Sequence, residues 1–326
     1  MRCACRFAMI FAVASGAQAQ AGYTFSEIGV PGAVSISANG INDSGQITGS
    51  FVDSSSLTHG YLASGQAITT IDVKKALQGT TVVTGINGAG LIVGSFTNDN
   101  SVTKGFVDND GVFSTIDPPK SILTIANGIN DSGLIVGQFT DKNSTVHGFL
   151  DNGGTFTTIS VTGATATVAT GINDSGEIVG YFTDKSNRVQ GFLDNGGVFT
   201  TIDVPDALRT EVFGINNAGV IVGEFVGVDN EVHGFVDNGG VFTTIDVPGA
   251  ISTIVNGINN AGQIVGDFTD SGSSTNHAFE ATPQTVPEPS SLVLMLAAGA
   301  TGLLYRVWPR RERWMKGFIG EEMPRS

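Results

Sequence analysis

The chain has 326 residues, of which 45 are glycine, 14% are charged and 40% hydrophobic, with a formal net charge of −14. That acidity argues against nucleic acid or anionic lipid as a partner. The glycine-rich, weakly charged composition, with many Val, Ile, Thr and Phe, reads as an all-β protein full of turns. No 3.6-residue periodicity runs between residues 22 and 280.

From the start of the chain, residues 1–19 read as a secretory signal peptide. Arg2 and Arg6 give the positive start, Phe7 to Ala14 the apolar core, and Ala17-Gln18-Ala19 the small-x-small cleavage site. Both cysteines, Cys3 and Cys5, fall inside this segment. The mature chain would then hold no disulfide, and its stability must come from packing.

Residues 22–282 are a repeat array. Gly-Ile-Asn begins at Gly40, Gly85, Gly128, Gly171, Gly214 and Gly257, at spacings of 45, 43, 43, 43 and 43 residues. These triplets number the repeats one to six below. In the fourth repeat a first strand ends at Gly171-Ile172, and Asn173-Asp174-Ser175-Gly176 makes a tight turn. A second strand is expected over Glu177 to Phe182, a third over Val189 to Leu193 and a fourth over Val198 to Val204, before Pro205. Asp194-Asn195-Gly196-Gly197 is a hairpin signal between the last two.

Each repeat therefore predicts a four-stranded antiparallel meander. Adjacent apolar pairs such as Ile178-Val179 and Phe192-Leu193 suit sheets covered on both faces. A four-stranded unit of this length is the blade size of propellers, with a β-solenoid as the alternative. The sixth repeat has no closing strand, whereas Phe25 to Val30 resembles one and precedes the first repeat. Lending that strand to the last repeat would latch a ring and hide its edges. The expectation is a six-bladed β-propeller closed by an N-terminal strand.

Residues 283–291 read as a linker carrying Pro287-Glu288-Pro289, residues 292–308 as a transmembrane helix, and 309–326 as a basic cytoplasmic tail. Arg306, Arg310, Arg311 and Arg313 would hold the far end inside the cell. Residues 20–287 hold eight Lys and Arg against 26 Asp and Glu, a balance of −18.

Val-Pro-Glu-Pro, the apolar segment and the arginine cluster, in that order over residues 286–313, resemble the PEP-CTERM sorting signal. That resemblance implies export by a Gram-negative bacterium, a transient inner-membrane stage, and processing by signal peptidase and an exosortase-type enzyme. The repeats, with Asn-x-x-Gly-x-Ile-Val-Gly and His277-Ala278-Phe279, resemble the HAF family of extracellular repeats, which brings no established chemistry.

Neither catalytic nor cofactor nor metal residues are assigned by the sequence. His59, His147, His233 and His277 share one repeat position, with Lys104 and Gln190 in the other copies, and read as structural. Asp141, Asp184 and Asp270 recur in a loop, where turn formation competes with calcium binding. Asp72, Asp117, Asp203 and Asp246 recur after the fourth strand, with Gly29 and Ser160 in the other copies, and read as caps on neighbouring backbone. Near-identical repeats in which only the loops drift argue against an active site. The expected function is a non-enzymatic surface or matrix protein associated with exopolysaccharide and biofilm. The alternatives are a lectin-like glycan binder or, further off, a polysaccharide-degrading enzyme.

Overall fold

The computed structural model describes residues 18–20, 22–272 and 275–284. Ala17, the Pro287-Glu288-Pro289 motif, the expected helix over 292–308 and the four arginines lie outside the described residues. Among the described residues no helix is long and apolar enough to cross a membrane.

Every described element is a strand. β1 (Gln18–Gln20) and β2 (Tyr23–Ile28) come first, and Ala19 of the expected cleavage site lies in β1, opposite Thr24. The first sheet is β3 (Ala33–Ile41), β4 (Ile47–Asp53), β5 (Thr58–Ser64) and β6 (Ala67–Ile71). The second is β7 (Val82–Ile86), β8 (Ile92–Thr97), β9 (Thr103–Asn109) and β10 (Val112–Ile116). The third is β11 (Leu123–Ile129), β12 (Ile135–Thr140), β13 (Val146–Asn152) and β14 (Thr155–Ile159). The fourth is β15 (Ala166–Ile172), β16 (Ile178–Thr183), β17 (Val189–Asn195) and β18 (Val198–Ile202).

The fifth meander is β19 (Arg209–Ile215), β20 (Ile221–Val226), β21 (Val232–Asn238) and β22 (Val241–Ile245). Then come β23 (Ala250–Ile258), β24 (Ile264–Asp270) and β25 (Asn276–Pro283). A single parallel bridge between Val232 and Ser252 joins the last two groups into one nine-stranded sheet.

The hairpin between the third and fourth strands is tighter than expected. Asp194 and Asn195 extend β17, and only Gly196 and Gly197 turn, with φ of 62° and 92°. Two successive positive φ values suit the right-handed strand twist, and only residues such as Gly adopt them without strain. The Asp194 carboxylate accepts the Gly197 N–H at 2.6 Å, and Asp108, Asp151 and Asp237 do the same in their copies. β18 ends at Ile202 rather than Val204, because the Val204 N–H is given to the Thr210 hydroxyl at the next repeat's entry.

The missing fourth strand of the sixth repeat is supplied by β2. It pairs antiparallel with β25 from Tyr23–Pro283 to Ile28–Ala278. In repeats two to five a fully buried Phe on the third strand meets a Phe on the fourth edge-on, with centroids 5.5–5.8 Å apart. Phe25 makes the same contact with Phe279 at 5.5 Å. The N-terminal strand thus fills the place of a fourth strand down to its aromatic pair.

The core lies between successive sheets. Val179 of the fourth repeat packs with Val212, Ile215, Ile221 and Phe235 of the fifth, and Val265 and Ala278 of the sixth pack with Ala38 and Tyr61 of the first. Both faces of a sheet are covered, which is why β16 shows Ile178 and Val179 buried side by side.

The Gly-Ile-Asn triplet explains how neighbours meet. Each Asn uses its side-chain carbonyl to bind the N–H groups of its own turn, as Asn173 does with Ser175 and Glu177. Its Nδ2 then donates to the backbone carbonyl of the next Asn. The bonds run Asn42 to Asn87, Asn130, Asn173, Asn216 and Asn259, and from Asn259 back to Asn42, all within 3.0–3.3 Å. One residue earlier than the Ile, a Cβ on Gly128 would lie 2.8 Å from the Thr170 carbonyl and 3.2 Å from the Gly171 Cα. Only glycine lets the strands approach this closely.

Candidate functional site at the loop end of the sheets

Meander geometry divides each sheet into two ends. One carries the Gly-Ile-Asn turns and tight hairpins. The other carries the loops after the second strands and the connections between repeats. The four histidines and their aspartates all stand at this second end.

The histidines do not sit alone. His59 Nδ1 faces both Asp72 oxygens at 3.0 Å, and His233 Nδ1 faces Asp246 at 3.0 and 3.2 Å. His147 has Ser160 there at 3.4 Å, and Lys104 and Arg188 bind Asp117 and Asp203 at 2.6 Å. The expectation that these aspartates cap neighbouring backbone is therefore corrected: they grip the side chain across the hairpin. In the sixth repeat Glu27 of β2 does this for His277 at 2.9 Å, whereas Gly29 stands at the aspartate position.

Each histidine also lies on a Phe of the second strand, with centroids 5.1–5.2 Å apart for Phe51–His59, Phe139–His147, Phe225–His233 and Phe268–His277. The opposite ring nitrogen faces the loop carboxylates Asp53, Asp141, Asp229 and Asp270 at 3.4–3.9 Å. Those carboxylates also close their own loops. Asp141 accepts the Asn143 and Thr145 N–H groups, and Asp184 those of Ser186 and Arg188. The Thr145 N–H foremost, with Asn143 and His147 adding to it, holds Asp141 below the usual carboxylate range. For His233 the downward pull of burial is outweighed by Asp246 and Asp229, and its pKa is raised.

At the same end runs a row of exposed residues, one at the entry to each repeat and aliphatic in five of the six. Val34, Leu77, Ile122, Leu208 and Ile251 hold this position, and an exposed Thr165 holds it in the fourth repeat. Between the fifth and sixth repeats, Glu231, His233, Asp246, Pro248, Ile251 and Ser252 help to line a surface cleft of about 340 Å³.

The repeats also drift inside the strands, contrary to the expectation that only loops vary. One second-strand position reads Ser50, Ser95, Gln138, Tyr181, Glu224 and Asp267. Glu224 and Glu211 stand opposite each other and both bind Arg209, with Glu211 at 3.3 Å. Burial pushes Glu224 up to about 7, against the pull of Arg209, and pushes Tyr181 up to about 12. Asp267, also raised to about 7 by burial, accepts the Ala38 N–H at 2.9 Å across the junction of the last and first repeats and the Asn256 amide of its own repeat at 3.2 Å. Buried polar residues of this kind carry no local sequence motif, so only their departure from the repeat consensus signals them.

No family model matches the chain, and no curated protein matches it. Among solved structures it is similar to AofleA from Arthrobotrys oligospora, at 14% identity and a TM-score of 0.50, over 82% of this chain and 91% of that one. A mutant of the Aleuria aurantia lectin in complex with Fucα1-6GlcNAc follows at 13% identity and a TM-score of 0.49, over 78% of this chain and 97% of that one. The β-propeller domain of the Trilobed protease from Pyrococcus furiosus gives 10% identity and a TM-score of 0.44, over 78% and 100%. At these identities the likeness is one of fold: an all-β chain of repeated four-stranded sheets, resembling β-propellers.

Proposed function

We propose that the chain is a six-bladed β-propeller, latched by β2, that binds glycans without catalysing their reaction. The blade count is supported by six Gly-Ile-Asn turns whose Asn amides form a circuit returning to Asn42. The observation that carries glycan binding is the recurrence, at one end of the sheets, of a polar donor position in all six repeats beside a row that is exposed and aliphatic in five of them and Thr165 in the other. Sugars present hydroxyl groups around an apolar ring face. A cleft offering His233, Asp246 and Ser252 beside Pro248 and Ile251 supplies both kinds of contact. Repetition suits a polymer, since several weak sites on one body add up through effective concentration. The lectin named among the similar structures accords with this reading.

Export rests on the sequence of the two ends, with signal peptidase and an exosortase-type enzyme as processing partners and the cell surface or exterior of a Gram-negative bacterium as destination. A surface or matrix protein associated with exopolysaccharide would use glycan binding there. A glycan array tests the central claim: selective binding that falls on Asp246→Ala and Ile251→Asp is expected, and a blank array rejects it. A polysaccharide-degrading reading draws on one observation, the facing carboxylates Glu211 and Glu224. Reproducible hydrolysis of a polysaccharide, lost in Glu224→Gln, would replace the binding reading with that one.

A further inference from the structure

We propose that the fifth repeat holds a site for a divalent transition-metal ion of the zinc type, formed by Asp229, Glu231 and His233. One ligand atom from each lies within 4.8 Å of the others, and all three surround the same loop. The inference goes beyond glycan binding and does not depend on it.

Two features set this copy apart, and a third, shared with His59, orients the ring. First, Glu231 is the carboxylate that the other copies lack: Leu57, Val102, Thr145 and Arg188 occupy its position in repeats one to four. Second, the loop is rebuilt. Asp53, Asn98, Asp141 and Asp184 open this loop in the first four repeats, but here Gly227 does so. A Cβ on Gly227 would lie 2.5 Å from Asp229 Oδ1 and 3.5 Å from His233 Cδ2, so the glycine clears the space that Asp229 enters. Asp229 Oδ1 accepts the Glu231 N–H at 3.0 Å, which leaves Oδ2 turned to His233 Nε2 at 3.4 Å.

Third, the imidazole is already oriented as metal-binding histidines are. Asp246 receives Nδ1–H at 3.0 Å and Phe225 lies against the ring. With the proton on Nδ1, the Nε2 lone pair faces a carboxylate oxygen. Two electron-rich atoms in that arrangement need a proton or a cation between them. A carboxylate on the far nitrogen also raises the basicity of a ligating histidine. One nitrogen and two carboxylate oxygens, with water completing the shell, suit zinc and its neighbours. Calcium takes six or more oxygen ligands and has no use for the imidazole.

The test is a calorimetric Zn²⁺ titration of the full chain, untagged and without glycan, so that a failed glycan array leaves it unaffected. His233→Ala should bind one Zn²⁺ fewer per chain than the parent. Glu231→Gln, an exposed change that leaves the fold intact, should weaken that site by about 10-fold, and Asp246→Asn by about 10- to 100-fold. His277→Ala should leave it unchanged. With Co²⁺ in place of Zn²⁺, a visible ligand-field band should vanish in His233→Ala. Equal stoichiometry and affinity in His233→Ala overturn the proposal, as does unchanged affinity in Glu231→Gln or displacement of the Zn²⁺ by equimolar Ca²⁺.

Discussion

The two ends of each sheet obey different rules. At the turn end, Gly-Ile-Asn is identical in all six repeats; at the loop end, one position reads His59, Lys104, His147, Gln190, His233 and His277. The difference follows from what each residue touches. Asn130 donates to Asn173 of the next repeat while its own carbonyl receives Asn87, so a change there disturbs three repeats. His59 meets Phe51, Asp53 and Asp72, all in its own repeat, and solvent beyond. Contacts between repeats fix one end and leave the other free to vary.

The largest expected effect comes from breaking closure itself. Deleting residues 23–31 removes the strand paired with β25 and strips Phe25, only 4% exposed, from Phe279. Each such apolar side chain carries about 1.5–3 kcal/mol, against a usual margin of about 5–15 kcal/mol. The truncated chain should aggregate or melt more than about 10 °C lower by differential scanning calorimetry; a loss of only a few degrees would show that β2 is a dispensable cap.

Single changes in the turn circuit come next. Gly128→Ala forces a Cβ to within 2.8 Å of the Thr170 carbonyl and should cost about 1–3 kcal/mol. Asn130→Ala leaves the Leu134 N–H and the Asn173 carbonyl short of a partner, and should cost about 1–3 kcal/mol in urea denaturation. If either proves neutral, the contrast between the two ends collapses.

A pH series sharpens the comparison within the strands. Glu224 and Asp267 have folded pKa values raised to about 7 by burial. Raised groups stabilise fully below their unfolded values, near 4, and that contribution is lost as pH rises through 7. The melting temperature should therefore fall between pH 5 and pH 8, by on the order of 5 °C. Asp267→Asn should flatten the slope, and a melting temperature that rises over this window contradicts the assignment. The smallest effect belongs to the loop end, where His59→Ala should shift stability by under about 1 kcal/mol; a larger loss would mean that the histidines are structural pillars.

The strands and the donated β2 were legible because each rests on a local signal repeated many times: β-branched runs, the Asp-Asn-Gly-Gly hairpins, and a closing sequence found at the wrong end of the chain. The role of the glycines was not, because the atom that forbids a Cβ on Gly128 belongs to Thr170, one repeat away. The His59–Asp72 pair was within reach. Gly60 pairs with Ile71 in the hairpin register, so the residues one step outward face each other. Glu224 and Asp267 were masked by the assumption that strands keep the consensus. The rebuilt loop at Gly227 became readable only when Asp229 was seen to occupy the space.

A strand that belongs to the last sheet but is made first sets the order of assembly. β2 meets β25 across some 250 residues of sequence, so β2 pairs only with β1 until β25 has been made. The five four-stranded meanders and β23–β25 rely on local hairpins and are expected to form first, whereas the latch is the most distant contact in sequence. Until it engages, the sixth sheet presents a bare edge to any strand nearby, its own or another chain's. High chain concentration before that contact forms would favour pairing the bare edge with another chain's first strand over its own.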